Sequence, residues 1–139
     1  MTHRRILSAS AVVAAFAIGV TVDHLAFAAQ QQPAIKRTIL QRQDDPASPK
    51  YEAIMGISEI PPGGTSGKHR HPGIELAYVL EGSVELTHEG KPPVIVKAGE
   101  PTMNTVGGIH TATNRGTTPV KILTVYIVEK GKPLAEVVP

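Results

Sequence analysis

Hydrophobic and polar residues alternate along short segments of the chain between residues 51 and 128. In "SVELTHEGK", Val84 and Leu86 fall on one face of an extended chain, and the residues between them fall on the other. The segments "YEAIMGISEI", "ELAYVLEG", "PPVIVKAGE" and "PVKILTVYIV" are also short and rich in strand-forming residues. The pattern predicts β-strands and no useful amphipathic helix in this part of the chain.

Turn-forming residues separate these segments at short intervals. The segment "IKRTIL" predicts an earlier strand, and "QRQDDPASP" has the acids, serine and prolines of a loop. The segment "GIHTATNRG" predicts a further strand after the loop "NTVGG". Short strands punctuated in this way predict an all-β sandwich or barrel. The turn positions are Pro61–Gly64, Pro72–Gly73, Gly82, Gly90, Gly99, Gly107–Gly108 and Gly116.

The first 28 residues follow a different pattern. A basic start, "MTHRR", precedes an uncharged apolar run and the small-residue sequence "AFA" at residues 26–28. This order is typical of a cleavable signal peptide, and the run of about 15 residues is short for a membrane span of about 20. We therefore expect a signal peptide at 1–28, a periplasmic or secreted protein, and no stable membrane span after processing. An uncleaved anchor is the alternative, and the Arg4–Arg5 pair leaves twin-arginine export open beside the general route.

Composition limits the function of the exported part. The formal net charge of the full chain is only +2, no lysine- or arginine-rich run occurs, and aromatic residues are few. We therefore expect no nucleic-acid partner. The chain has no cysteine, so its core, a metal or self-association must stabilise it. We divide it into a tether with a first strand at 29–50 and a β-barrel at 51–139. A small barrel with free sheet edges also favours a homodimer.

The segment "SGKHRHPGIE" contains the candidate chemistry. His69 and His71 are two apart, so in a strand their side chains face the same side. Pro72–Gly73 turns the chain, and Glu75 begins the returning strand next to them. Two imidazoles and one carboxylate are a known set of ligands for a divalent transition metal. His110 would supply a fourth ligand if its strand lies across the barrel from His69 and His71.

These residues resemble the first motif of the cupin family. That motif consists of glycine, five residues, His-x-His, three or four residues, glutamate, six residues and glycine. Gly63, His69, His71, Glu75 and Gly82 occupy all of its fixed positions.

A second stretch, "GEPTMNTVGGIHTATN", is similar to the second cupin motif. Gly99, Gly107, His110 and Asn114 match it, and Thr105 replaces the usual proline. The resemblance extends over residues 51–128 and implies an antiparallel jelly-roll barrel. It also implies that the Asn114 side chain makes structural hydrogen bonds.

The resemblance implies a metal site but leaves the reaction open. It implies a divalent transition metal (iron, manganese, nickel, copper or zinc) held by His69, His71, Glu75 and His110. Three neutral imidazoles and one carboxylate would leave a divalent site at net +1, with open positions for a small oxygen-rich molecule. The alternatives are a metalloenzyme with dioxygenase-like or Lewis-acid chemistry, a non-catalytic metal- or ligand-binding module, and a shell that binds no metal.

Several other side chains have expectations of their own. His88 lies in "THEGK", and we expect it to be a solvated turn residue. Arg70 lies between the two histidines of the first motif and should point away from them. Four large side chains could line the pocket or fill the core, and we expect them to fill the core. These are Met55, Tyr78, Met103 and Tyr126.

Overall fold

The computed structural model describes residues 34–139, and the elements it contains there are β-strands. The predicted signal peptide at 1–28 and the first residues of the predicted tether lie outside the described residues. No helix within 34–139 is long and apolar enough to cross a membrane. The strands are β1 (Lys36–Asp44), β2 (Tyr51–Ile60), β3 (His69–Arg70), β4 (Gly73–Glu81), β5 (Ser83–His88), β6 (Val94–Lys97), β7 (Pro101–Asn104), β8 (His110–Thr113), β9 (Val120–Glu129) and β10 (Glu136–Val137).

The strands form two five-stranded antiparallel sheets. The first sheet has the order β1-β2-β9-β4-β7 and the second has the order β10-β3-β8-β5-β6. The all-β, antiparallel jelly-roll prediction is confirmed, but the two sheets face each other without closing into a continuous barrel. The chain crosses from one sheet to the other between β3 and β4, so the two halves of the predicted metal motif lie on opposite sheets.

The hydrophobic core lies between the sheets. The alternation in β5 places Val84 and Leu86 against Val79 of β4 and Ile122 of β9. Each side chain of this kind contributes about 1.5–3 kcal/mol when it is fully buried. A smaller cluster of Ile54, Tyr126 and Val128 with Leu134 continues the core toward the opposite end of the first sheet.

Gly73 allows β4 to approach β9 closely. A Cβ atom at this position would overlap the Ile127 carbonyl oxygen and lie 2.6 Å from the Val128 Cα atom. Glycine is therefore required for the close packing that places β4, and with it Glu75, beside β9.

Asn114 makes the structural hydrogen bonds that the second motif implies. Its side-chain amide donates to the carbonyl oxygens of Ile60 and Thr118, and its Oδ1 atom accepts from the Gly116 amide. Since the residue is fully buried, these bonds connect the end of β2 to the β8–β9 turn.

Some predicted segments differ from the structure. The first strand extends to Asp44 because it pairs with β2 across a bulge between Ile39 and Gln41, so part of the predicted loop is strand. Tyr126 is buried as predicted, but Met55, Tyr78 and Met103 were wrongly expected in the core. They lie on the outward face of the first sheet, where nothing in the described part of the chain covers them.

Candidate metal centre

Three buried histidines converge at one end of the space between the sheets. His69 of β3 and His110 of β8 are direct cross-strand partners, and His71 follows just after β3. Their candidate ligand nitrogens all lie within 4.8 Å of one another. His110 is therefore the neighbour of His69 within one sheet, and it reaches the cluster without lying across the barrel from it. The three side chains are placed to bind a metal ion.

Glu75 approaches two of these histidines from the facing sheet. Its Oε2 atom is 3.2 Å from His71 Nε2 and 3.4 Å from His110 Nε2. Two ligand atoms at right angles, each about 2.1 Å from one ion, lie about 3 Å apart, so these separations suit shared coordination. Glu75 lies on β4, which pairs with β9 and β7, and it is not on a strand adjacent to β3 as expected.

Backbone carbonyls orient all three imidazole rings. The Nδ1 atoms of His69, His71 and His110 lie 2.9, 2.6 and 3.0 Å from the carbonyl oxygens of Gly67, Leu134 and Gly108. A carbonyl oxygen only accepts, so each Nδ1 must carry the proton and donate it. In the neutral rings each Nε2 then keeps its lone pair, which is the arrangement that second-shell carbonyls give to metal ligands.

The electrostatics of this cluster suit a cation. Burial lowers the pKa of His69 from 6.5 to about 4, so its ring is neutral at neutral pH. Burial acts to raise the pKa of Glu75, but N–H groups that donate to its carboxylate, from His110 and His71 when Nε2 carries a proton and from Asn104, hold that pKa well below its ordinary value. His71 Nε2 is buried and makes no hydrogen bond within the described residues. A carboxylate beside imidazole nitrogens, one of them without any partner among the described residues, is a donor set that fits a divalent transition metal.

Asn104 and His88 form a hydrogen-bonded pair next to Glu75, and this pair positions the Glu75 carboxylate. Asn104 of β7 donates from Nδ2 to Glu75 Oε2 at 2.5 Å. The Oδ1 atom of Asn104 lies 2.7 Å from His88 Nε2, which must therefore be the donor.

The prediction of a solvated His88 was wrong. His88 is half-buried on β5, where it is the cross-strand partner of His110, although it lies outside the three-histidine cluster. Its alternation with Val84 and Leu86 could have revealed its inward direction. Arg70, by contrast, points outward as predicted, and its Nε atom lies 2.9 Å from Glu136 Oε2.

Comparison with known proteins identifies the family. A family model described as "Cupin domain" matches residues 56–126. The chain belongs to the cupin family. The three histidines and Glu75 of this cupin all lie within the matched residues.

Similar proteins agree with this assignment. An "Oxalate-binding protein" from Thermotoga maritima is 34% identical over 75 residues, which are 53% of this cupin and 61% of that protein. The match thus spans less than two thirds of that relative. A solved structure described as a predicted oxalate decarboxylase from Thermotoga maritima is 28% identical with a TM-score of 0.57, covering 68% of this chain and 80% of that one. An uncharacterized double-stranded β-helix protein from Klebsiella pneumoniae, at 22% identity and a TM-score of 0.61, covers 74% and 85% and shows the fold.

A cavity of the cupin opens beside the three-histidine cluster. Its volume is small, about 30 Å³ for the centres of water molecules. Its floor is apolar, and its polar side chains are Arg37, Ser58, Ser66, Thr102 and Thr124 together with His69, Glu75, Asn104 and His110.

Sequence reasoning missed Arg37, which lies on β1 before the family-matched segment. Its Nη2 atom lies 3.5 Å from His69 Nε2, and its Nε atom is buried without a partner in the described residues. A detectable sign was that Arg37 alternates with Ile35 and Ile39, so one arginine interrupts an apolar face.

Proposed function

We propose that this protein is an exported cupin that binds a divalent transition metal and, at the open positions of that metal, a small oxygen-rich organic molecule. The proposed ligands are His69, His71, Glu75 and His110. The candidate metals are iron, manganese, nickel, copper and zinc, since imidazole and carboxylate ligands suit all of them.

The orientation of the three imidazoles is the observation that carries this proposal. Each Nδ1 is committed to a backbone carbonyl, so three Nε2 lone pairs converge beside the Glu75 carboxylate. When the three rings are neutral, their Nε2 lone pairs face one another and repel. A bound cation would remove that repulsion. A purely structural histidine cluster has no need for all three rings to share one tautomer.

The chemistry of the cavity favours a small, oxygen-bearing ligand. A bound divalent metal would supply Lewis acidity at its open coordination positions. The apolar floor and small volume would exclude bulk water and admit only a few heavy atoms. The Thermotoga maritima relative is named for oxalate binding, which supports a chelating small molecule here as well.

Simple binding and turnover are both compatible with this site. Apart from the proposed metal ligands, the described residues that line the cavity offer arginine, hydroxyl and amide groups and no carboxylate or imidazole. General acid–base help from a second titratable side chain is therefore poorly supported. This favours a binding module, or an enzyme whose chemistry occurs at the metal alone; product analysis of candidate ligands incubated with the metal-loaded protein and oxygen separates these roles.

Metal content tests the proposal. The protein would be purified without chelators or a histidine tag and analysed by elemental mass spectrometry, before and after addition of each candidate ion. We expect about one equivalent in the wild type, loss in a His69→Ala/His71→Ala variant, and retention in Arg70→Gln, which alters the residue between these histidines whose side chain points outward. No metal in the wild type after ion addition would refute the proposal, and so would equal metal in the double variant.

Export is proposed from the amino-terminal sequence pattern. Cleavage after Ala28 would leave a chain that starts at Ala29. Intact mass and amino-terminal sequencing of the protein from its native compartment test this, and a full-length cytoplasmic product would contradict it.

We also propose a homodimer formed through the outward face of the first sheet. Met103, Leu76, Val125 and Met55 are successive cross-strand partners on β7, β4, β9 and β2. They form an apolar row across the sheet, and Tyr78 and Ile127 extend the exposed apolar surface on either side. An isologous pairing of two such faces would cover it.

The dimer is testable by light scattering coupled to size exclusion. We expect Met55→Glu to dissociate it, and Ile95→Glu, which makes the same change at an exposed residue of the second sheet, to leave it intact. A wild-type monomer at micromolar concentration would contradict the proposal.

A further inference from the structure

Arg37 differs from the other arginines of the described chain. Arg42, Arg70 and Arg115 each form an ion pair with a glutamate: Glu52, Glu136 and Glu85, respectively. None of the ion pairs found within residues 34–139 includes Arg37. A partly buried guanidinium without a carboxylate partner loses hydration, and among the described residues only the long contact from its Nη2 atom to His69 Nε2 replaces part of it.

The position of Arg37 directs this unpaired charge into the cavity. Arg37 pairs with Ser58 across β1 and β2, which places both side chains on the inward face. Its Nη2 atom is 3.5 Å from the Nε2 atom of His69, one of the nitrogens proposed to hold the metal. A group bound to Arg37 would therefore adjoin the coordination sphere of the metal.

The two orphaned nitrogens have different chemical requirements. Of the buried side-chain nitrogen and oxygen atoms described between residues 34 and 139, the Nε atoms without a hydrogen-bond partner are Arg37 Nε and His71 Nε2. His71 Nε2 requires a Lewis acid, because its lone pair is free. Arg37 Nε–H requires an acceptor, and a metal ion cannot serve as one. Metal binding alone leaves Arg37 Nε–H without an acceptor among the described residues, so a second occupant with acceptor oxygens fits this cavity.

Charge and shape specify that occupant. The proposed metal with its four ligands has net charge +1, and Arg37 raises the total to +2. The planar guanidinium presents paired N–H donors that match a carboxylate. The cavity admits only a few heavy atoms, and Ser58 and Thr102 offer hydroxyls beside it.

We propose that Arg37 binds one carboxylate of a small dicarboxylate whose other carboxylate reaches the open positions of the metal. This inference rests on the proposed function and narrows its ligand from oxygen-rich molecules in general to a doubly charged one. Neutral diols and catechol-like rings then bind less tightly, because they leave the Arg37 charge without a counterion.

Calorimetric titration of the metal-loaded protein with oxalate, malonate, acetate and ethylene glycol tests the proposal. The variants are Arg37→Gln and Arg37→Lys, with Arg70→Gln as the matched control. Arg70 carries the same charge and lies between two proposed ligands in sequence, but it points to the opposite side. Metal content is measured for every variant before titration.

We expect the wild type to bind oxalate or malonate more tightly than acetate or ethylene glycol. Arg37→Gln should lose about 10- to 100-fold in dicarboxylate affinity, because charge-assisted hydrogen bonds to the ligand disappear. Arg37→Lys should lose less, and Arg70→Gln should stay within about threefold of wild type. The ligand preference should also shift, since affinity for ethylene glycol does not depend on Arg37.

Three results would overturn the inference. The first is an Arg37→Gln variant that keeps its metal and its dicarboxylate affinity within threefold. The second is loss of metal in Arg37→Gln, which would assign Arg37 to the metal site itself. The third is an equal loss of dicarboxylate affinity in Arg70→Gln. That result would show that the effect depends on the net positive charge of the protein and not on contact with Arg37.

Failure of the proposed function gives a different result, namely no metal in the wild type. The titration is then repeated on the metal-free protein. A thermal shift with oxalate that disappears in Arg37→Gln supports an anion site at Arg37, and no shift overturns it.

Discussion

Acidification of the metal-free protein should reduce its stability through His69. The folded protein lowers the pKa of this imidazole from 6.5 to about 4 because the ring is buried. Between these values the unfolded chain binds a proton that the folded chain does not, so stability falls as the pH falls through 6.5 and levels off below about 4. At about 1.4 kcal/mol for each pH unit, the whole difference is about 3 kcal/mol, and most of it is lost between pH 7.5 and 4.5.

Glu75 contributes in a separate pH window. Its pKa in the folded protein is well below 4.5, so its stabilising contribution is present above about pH 4.5 and disappears only as the pH falls further. Measurements at and above pH 4.5 therefore isolate the histidine effect from most of the carboxylate effect.

The assay is urea unfolding of chelator-treated protein at pH 7.5, 6.0 and 4.5, with wild type and His69→Gln in parallel. Wild type should lose about 2–3 kcal/mol more than the variant over this range. Parallel losses in the two proteins would refute the reasoning, because they would show that His69 takes up its proton in the folded protein at an ordinary pKa. Saturating metal should raise the stability of the wild type at pH 7.5 and make its fall toward low pH steeper, because ligands that hold the ion in the folded protein bind no proton.

Three further substitutions test the supports of the site. Asn114→Ala should lower the free energy of unfolding by about 3 kcal/mol, at about 1 kcal/mol for each of three lost hydrogen bonds, and a loss under 1 kcal/mol in urea unfolding would contradict this. Gly73→Ala should cost about 3 kcal/mol or more because its Cβ overlaps Ile127, and should also weaken metal binding through Glu75; unchanged stability would show that β4 can move. Asn104→Ala should weaken metal binding about 10- to 100-fold in competition with a chromophoric chelator, and an unchanged affinity would remove Asn104 as a support of Glu75.

Local patterns predicted the strands and the histidine cluster well. Alternation in "SVELTH" correctly placed Val84 and Leu86 inside, and the His-x-His spacing correctly placed His69 and His71 on one side with Arg70 pointing outward. These predictions succeeded because they depend on the two-residue period of a strand and on no long-range contact.

Contacts between distant segments could not be predicted from the pattern. Asn104 reaches Glu75 across 29 positions, and Arg37 reaches His69 across 32. Both contacts depend on which strands become neighbours and on how the sheets pack. The exposed Met55 and Met103 were misplaced for a related reason, since the pattern marks an apolar face without showing whether another part of the structure covers it.

The residues proposed to bind the metal and the residue proposed to select the small molecule lie on different strands, and the second lies on the edge strand β1. The proposed metal ligands lie within the family-matched residues, whereas Arg37 lies on a peripheral strand that pairs with β2 alone. If the proposed roles hold, a substitution at position 37 alters the preferred small molecule while the ion remains the same. Evolution and protein engineering can both use this separation. A library of substitutions confined to β1 would vary the ligand preference and leave the four proposed metal ligands unchanged.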